Sequence, residues 1–172
     1  GGAIYIGNTM LSESGGTPVE VAGILTANSS FFGNNFAGRN GGAINGEGKI
    51  NLISSTVYGN TAGLGGGGIA ITGTGDVSLI SNTIAYNHTV KGLGGGVLLA
   101  SAEGKAMLTT ANNLLVRNIN GLSYDRNAIK SSSGVIAHDG PPLDTLTANA
   151  GDYYLETGSS TTDPGAGNWY YY

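Results

Sequence analysis

The sequence predicts an all-β fold: a single-stranded parallel β-helix, or solenoid, of about six coils of roughly 26 residues with an irregular C-terminal cap. A repeat, a period-two apolar pattern and the phased placement of glycine and asparagine predict it. The clearest copy of the repeat, SSTVYGNTAGLGGGGIAI, runs from Ser54 to Ile71, and related phrases begin at Ser29 and Ser81. Similarity at such a period is typical of solenoids and other repeat architectures.

Asparagine and apolar residues keep a common phase in the repeat. The asparagines that close each copy are Asn34, Asn60, Asn87 and Asn118, at spacings of 26, 27 and 31 residues. Because equivalent residues of successive coils lie above one another, we predict three columns of inward apolar side chains. The column after the glycine-rich bend comprises Ile4, Ile44, Ile69 and Val97; the column three residues before the asparagine comprises Phe31, Val57, Ile84 and Leu115; the column ten residues before it comprises Ile24, Ile50, Val77 and Leu108.

Short runs with period-two alternation predict the strands. Ile69 and Ile71 alternate with a small residue, and Val77 and Leu79 with a polar one, which is the pattern of a strand rather than of a helix. Each coil is expected to contain three such strands. The corners between them require φ > 0, which glycine adopts freely and asparagine tolerates, and this explains why Gly-Asn and Gly-Gly recur at a fixed phase.

The chain is expected to have two parts. Residues 1–140 form the coils, with residues 8–18 as an inserted loop in the first coil, because Ile4 and Ile44 lie 40 rather than about 26 residues apart. Residues 141–172 form a capping segment that begins with Pro141 and Pro142 and covers the open strand edges of the last coil. The chain begins inside a repeat, so we expect a processed product or a part of a longer protein.

Composition excludes several classes of function. The 172 residues carry a net charge of −4 and only 10% charged residues, and nucleic-acid binding requires a basic face. The apolar runs are too short for a transmembrane helix, so we expect no membrane insertion of this segment. The absence of cysteine excludes disulfides, thiolate catalysis and cysteine-bound metals. Abundant glycine, asparagine, serine and threonine are typical of secreted and cell-surface proteins.

The tail, PPLDTLTANAGDYYLETGSSTTDPGAGN, resembles the C-terminal segment of choice-of-anchor Q domain proteins, which are bacterial and archaeal surface proteins. The matching residues are Pro142, Leu143, Leu146, Asn149, Gly151, Tyr154, Leu155, Gly158, Ser159, Asp163 and Gly165. Pro141 and Ser160 to Thr162 depart from the pattern. The GGAI and GN phrases are similar to repeats of polymorphic outer-membrane proteins. These resemblances imply a right-handed β-helix, export to the cell surface and a tail that closes the last coil, but no defined activity.

Candidate catalytic and binding residues are few. Glu47, Asp76 and Glu103 recur near one phase after the bend, and a pair of such carboxyls is what glycoside hydrolysis requires. We interpret them as residues of solvated turns, and we interpret His88 and His138 as structural. We therefore predict no catalytic residue, no cofactor and no metal site. Asn28 and Asn87 begin N-glycosylation sequons and are candidate glycosylation sites.

The leading hypothesis is a non-enzymatic extracellular structural or adhesive module of a microbial surface protein. Its expected partners are other copies, stacked head to tail into filaments, or surface components and glycans. One alternative is a polysaccharide lyase or hydrolase of the β-helix type. Cleavage assays with Asp76→Asn and Glu103→Gln variants test this alternative. A second alternative is an ice-binding protein, which thermal hysteresis tests; the threonines that it requires in regular ladders, such as Thr56 and Thr83, are isolated.

Overall fold

The computed structural model describes residues 1–11, 17–100 and 107–121, and beyond them the backbone of five short strands. The first strands are β1 (Ile4–Ile6), β2 (Asn8–Leu11), β3 (Val19–Ala22), β4 (Ile24–Asn28), β5 (Phe31–Gly33) and β6 (Phe36–Ala37). The next are β7 (Ile44–Gly46), β8 (Lys49–Ile53), β9 (Thr56–Tyr58), β10 (Thr61–Ala62), β11 (Ile69–Ile71), β12 (Val77–Ile80), β13 (Thr83–Ala85), β14 (His88–Thr89) and β15 (Val97–Ala100). The last are β16 (Met107–Ala111), β17 (Leu114–Val116), β18 (Ile119–Asn120), β19 (Ser123–Tyr124), β20 (Ile129–Ser133), β21 (Val135–Ala137), β22 (Tyr153–Leu155) and β23 (Trp169–Tyr171).

These strands stack into a β-solenoid with four parallel sheets along its axis. The first sheet has the order β1-β7-β11-β15-β20, the second β4-β8-β12-β16-β21, the third β5-β9-β13-β17-β22 and the fourth β6-β10-β14-β18. Strand β23 pairs antiparallel with β22, and β19 antiparallel with β18. Three complete turns, β4–β7, β8–β11 and β12–β15, lie within the described residues, where all regular structure is β-strand. The all-β solenoid is therefore confirmed, with four strands in each turn rather than three.

Two corners have a constant length of two residues in the four turns that contain β4–β6, β8–β10, β12–β14 and β16–β18. The first residue of each corner has a positive φ, between 46° and 64°. The second residue occupies an inward-facing position just before the next strand begins. Between the second and third sheets the positive-φ residues are Ser29, Ser54, Ser81 and Asn112, and between the third and fourth sheets they are Asn34, Gly59, Tyr86 and Arg117. The corners therefore follow one geometry although glycine occupies only one of the eight positions.

A continuous apolar core fills the solenoid. Ile44, Ile69 and Val97 lie in one column with Ile4, and the three are fully buried. The columns of the second and third sheets contain the predicted Ile50, Val77 and Leu108 and the predicted Val57, Ile84 and Leu115. Each of these six side chains is at most 3% exposed. Burial of such branched side chains contributes about 1.5–3 kcal/mol each, so the core dominates the stability of the stack.

The predicted positions of Ile24 and Phe31 are wrong by one residue. Leu25, not Ile24, pairs with Ile50, and Phe32, not Phe31, pairs with Val57. Ile24 and Phe31 point outward and are 69% and 67% exposed. Because side chains of a strand alternate between its two faces, an error of one residue exchanges inside and outside.

The error arises because Asn34 is not the asparagine that closes the first copy of the repeat. Asn35, rather than Asn34, bonds to Asn60 of the next turn. Asn34 is instead the positive-φ residue of the corner, with φ of 56°. The true spacings along this column are 25, 27 and 31 residues, which the separations of the bonded asparagines give directly.

The segment predicted as an inserted loop at residues 8–18 begins an antiparallel hairpin. Strand β2 pairs with β3, so that Asn8 lies opposite Ala22 and Leu11 opposite Val19. The excursion therefore extends to Ala22. The side-chain Nδ2 group of Asn8 donates to Glu20 Oε1 at 2.6 Å within the hairpin. It also donates to the backbone oxygen of Glu47 at 3.4 Å, which links the hairpin to the tube.

The predicted boundary at residue 140 lies outside the described residues. Within the segment 141–172 the structure describes the backbone of β22 and β23 only. Strand β22 continues the third sheet, parallel to β17. The described part of the chain contains no helix long and apolar enough to cross a membrane.

A column of glycines brings the backbone of successive turns into close contact. Gly42, Gly67 and Gly95 follow the bend after the fourth sheet in three consecutive turns. A Cβ atom on Gly67 would lie 2.2 Å from the oxygen of Gly95 and 2.6 Å from backbone atoms of His88. The bend therefore packs directly onto β14, an arrangement for which only glycine leaves space.

Candidate functional site

A ladder of buried asparagines runs along the axis next to the core. In Asn60 and Asn87 the backbone N–H and the Nδ2 group both donate to Oδ1 of the asparagine in the following turn, at 2.9–3.1 Å. The Nδ2 group of Asn87 also donates to the carbonyl of Val57 in the preceding turn. Each asparagine therefore links three turns, and its buried polar atoms are satisfied, as burial requires.

A second ladder occupies the corner between the second and third sheets. The backbone N–H of Ser55 donates to Asn82 Oδ1 at 2.8 Å, and Asn82 donates in turn to Asn113 Oδ1 through its backbone and side chain. The Nδ2 groups of Asn82 and Asn113 donate back to carbonyls of Leu52 and Leu79. The two ladders together couple the turns through side chains as well as through the sheets.

This arrangement corrects one predicted glycosylation site. Asn87 is fully buried, and its Nδ2 group is bonded to Val57 and Asn118. A glycan on that nitrogen has no space in this fold, and because it replaces one of the two N–H groups, it would remove at least one of these bonds. Asn28 is the last residue of β4 and is exposed, so the structure leaves Asn28 as the candidate sequon.

The candidate acidic residues do not form one column. The N–H of Glu47 bonds to the oxygen of Ile6, and that of Thr72 to the oxygen of Gly46, so Glu47 lies level with Thr72. Asp76 lies level with Lys49, because Val77 pairs with Ile50. Glu103 lies outside the described residues. Glu47 and Asp76 therefore occupy different positions on the connection from the first to the second sheet, Glu47 partly buried and Asp76 exposed.

Glu47 instead accepts a hydrogen bond from an exposed tyrosine. The hydroxyl of Tyr5 donates to Glu47 Oε1 at 2.7 Å. This bond, partial desolvation and the nearby carboxylate all raise the pKa of Tyr5 above its ordinary value. The bond joins β1 to the connection that follows β7, across two turns of the tube.

We expect a Tyr5→Phe variant to lose the tyrosine that ionises above about pH 10, the ordinary pKa of the phenol. Because the folded pKa is raised, the contribution of this bond to the free energy of unfolding is present below that pH. It is lost as the pH rises through the folded pKa. The exposure of Tyr5 limits the contribution to less than about 1 kcal/mol. Spectrophotometric titration of both proteins measures the pKa of Tyr5, as the difference between the two titration curves. A difference curve centred at or below the ordinary pKa would contradict the assignment.

His88, the histidine that the structure describes, bonds to the backbone rather than to an acidic side chain. His88 lies on the outer face of β14, and its Nε2 atom is 2.9 Å from the carbonyl oxygen of Gly121, so this nitrogen carries the proton and donates. His138 lies outside the described residues. Among residues 1–11, 17–100 and 107–121, no group of three or more metal-binding side chains comes together.

An exposed aromatic row, which the sequence analysis missed, follows the outer side of the third sheet. We define it as Phe31, Tyr58, Tyr86 and Arg117, one residue from each of four successive turns. The ring centroids of Tyr58 and Tyr86 are 5.3 Å apart, and the Arg117 guanidinium lies 5.8 Å from the Tyr86 centroid. The ring of Phe31 lies over Gly33, which pairs with Tyr58. The signal in the sequence is the residue just before each ladder asparagine. In two copies this residue is bulky: Tyr86 precedes Asn87, and Arg117 precedes Asn118.

The described carboxylates lie in one part of the tube. Glu20, Glu47 and Asp76 lie on the hairpin or between the first and second sheets, and Lys49 directly follows that connection. Of the other described cations, Arg117 follows the third sheet, and Arg39 and Lys91 follow the fourth. The corner that ends the aromatic row therefore carries a cation and no described carboxylate, although the whole chain has a net charge of −4.

Comparisons of this chain with protein-family models, with curated proteins and with solved structures found no match.

Proposed function

We propose that this chain is a non-enzymatic structural or adhesive module of an extracellular microbial surface protein. The observation that carries the proposal is the pair of side-chain ladders, Ser55 to Asn113 and Asn35 to Asn118, inside a continuous apolar core. Such a stack resists local opening, because each turn is held by its neighbours through backbone and side chains. A stiff rod with a variable outer surface suits presentation of binding residues at a distance from a cell.

The handedness of the solenoid, its number of coils and the closure of its C-terminal end belong to the same proposal. We propose that the solenoid is right-handed, that the whole chain forms about six coils, and that residues 141–172 close its C-terminal end. The resemblance of that segment to choice-of-anchor Q domain proteins, and of the GGAI phrases to polymorphic outer-membrane proteins, supports this proposal and the extracellular location.

The polarity of the asparagine ladder supports head-to-tail assembly. Each Oδ1 atom accepts from the preceding turn, and each backbone N–H donates toward the following one. Among the described residues Asn35 is the first asparagine of the ladder, and it donates to Asn60. The ladder therefore has a direction, and contacts between unlike ends of such a rod are heterologous and generate open filaments.

Electron microscopy and sedimentation of the purified protein over a range of concentrations test this assembly. We expect rods that lengthen with concentration, and we expect Asn35→Leu to shorten them because leucine cannot accept a hydrogen bond. Asn34→Gly is the matched control, since Asn34 is exposed at a positive-φ corner where the next turn carries Gly59. Monodisperse monomers at the highest concentration would contradict head-to-tail assembly.

A further inference from the structure

We propose that the aromatic row binds an acidic polysaccharide that lies along the solenoid axis. This inference names the ligand class of the adhesive role and rests on that proposed function. It is carried by three features of one surface: the exposed aromatic rings, the cation Arg117 at the end of the row, and the presence of bulky side chains at strained corner positions.

The rings are accessible to a ligand although they contact one another. Tyr58 is 40% and Tyr86 44% exposed, and the planes of their rings are tilted by 49°. Phe31 adds a 67% exposed ring one turn earlier. Exposed aromatic faces with a polar hydroxyl stack on the C–H faces of sugar rings and bond to their hydroxyl groups. The hydroxyl-bearing Thr56 and Thr83 follow Phe31 in one outward column of the same sheet, next to the position of Tyr58.

The repeat of the row favours a linear polymer. Consecutive members lie in consecutive turns, so the row advances by about 4.8 Å per turn along the axis. A chain of linked sugar rings presents similar groups at regular intervals, and it can contact several turns at once. A folded protein partner would instead require a wider continuous patch than one row of side chains offers.

Charge selects an acidic polymer among the polysaccharides. Arg117 ends the row, and Arg39 and Lys91 follow the fourth sheet, which is the next sheet around the tube. The described carboxylates lie on the other side, near the connection from the first to the second sheet. A carboxylate on each sugar ring would meet positive charge without repulsion from the described acidic residues, and salt would weaken the contact.

The corner conformation shows that the fold alone does not favour these side chains. Tyr86 and Arg117 have φ of 56° and 49°, at corners where preceding turns carry Asn34 and Gly59. Glycine and asparagine tolerate this conformation, whereas a bulky residue in it is uncommon and strained. Strained residues persist where the side chain has a role beyond the fold, and they cluster at ligand sites.

Binding of polygalacturonate, compared with its fully methyl-esterified form, tests the inference. The two polymers share a backbone and differ in charge. We expect calorimetry to show binding of polygalacturonate only, weakened by salt. We expect Tyr86→Asn and Arg117→Asn each to weaken it by about tenfold, which corresponds to the loss of one stacking or charged contact. These variants place at the corner the residue that Asn34 already provides, so we expect them to fold with unchanged or higher thermal stability.

The control variants are Tyr5→Asn and Lys49→Asn. Tyr5 is an exposed tyrosine, and Lys49 an exposed cation, on the side of the described acidic residues. We expect neither to change polygalacturonate binding. Equal binding of the two polymers, no binding of polygalacturonate, or equal losses in the control variants would overturn the inference.

The outcomes also separate this inference from the proposed function. Filaments that form without any binding of polygalacturonate would leave the structural role standing and overturn the ligand assignment. Binding by a protein that stays monomeric would support the ligand assignment and contradict head-to-tail assembly. Self-association that Tyr86→Asn abolishes, without a change in polymer binding, would make the row an interface between copies and overturn the inference.

Discussion

Replacement of Asn87 by alanine is expected to lower the free energy of unfolding by about 3 kcal/mol. The Oδ1 atom of Asn87 accepts from the backbone and the side chain of Asn60, and its Nδ2 group donates to the carbonyl of Val57. All of these groups lie in the interior, so the substitution leaves the N–H of Asn60 without an acceptor. Denaturation in urea at constant temperature measures the change.

The matched control for this substitution is Asn28→Ala. Asn28 is an exposed asparagine at the end of β4, and we expect its replacement to change the free energy of unfolding by less than about 0.5 kcal/mol. Equal effects at Asn28 and Asn87 would show that the ladder does not couple the turns. Hydrogen exchange adds a local readout, because the amide of Asn60 should lose its protection first.

Replacement of Gly67 by alanine is expected to destabilise the solenoid by about 3 kcal/mol or more, because the added methyl group meets backbone rather than side chains. The new Cβ atom would lie 2.2 Å from the oxygen of Gly95 and 2.6 Å from the backbone carbon of His88. Neither the bend at Gly95 nor β14 can move away without breaking its hydrogen bonds to neighbouring turns. Thermal and urea denaturation followed by circular dichroism measure the loss.

Gly38→Ala provides the control for the glycine column. A Cβ atom at Gly38 would have no atom within 4 Å. We therefore expect Gly38→Ala to be neutral or slightly stabilising, since alanine reduces the conformational freedom of the unfolded chain. A Gly67→Ala protein as stable as Gly38→Ala would contradict the close packing of the bend on β14.

The sequence determined the solenoid well because its signals agree with one another. Val57, Ile84 and Leu115 recur in phase with an asparagine, and each asparagine follows a residue at a corner. Apolar alternation, corner conformation and repeat period are separate physical requirements of one stack. Their agreement left little space for a helical or a disordered alternative.

The register of the first turn was not determined by the sequence, because each critical position there is doubled. Asn34 is followed by Asn35, Phe31 by Phe32, and Ile24 by another apolar residue. An apolar pattern of period two cannot choose between two adjacent apolar residues. The choice comes from the bond between Asn35 and Asn60, which joins residues 25 positions apart and is not visible in a local pattern.

The fourth sheet and the aromatic row were missed for related reasons. Strands such as β10 and β14 contain two residues each, which is too short for a periodic signal. Tyr58 and Tyr86 occupy different positions relative to their asparagines, Asn60 and Asn87. They come together only because the corner turns Tyr86 back toward the ring of Tyr58, as the three-dimensional structure reveals.

The two-residue corners have a consequence for how this chain can change in length. The connection from the first to the second sheet grows from the two residues between β7 and β8 to the five between β11 and β12, while both corners stay constant. Insertions at that connection leave the stacked columns in register. It is therefore a place where evolution, or an engineer, can graft a new segment onto the rod, whereas one extra residue at a two-residue corner would exchange the inward and outward side chains of the strand that follows.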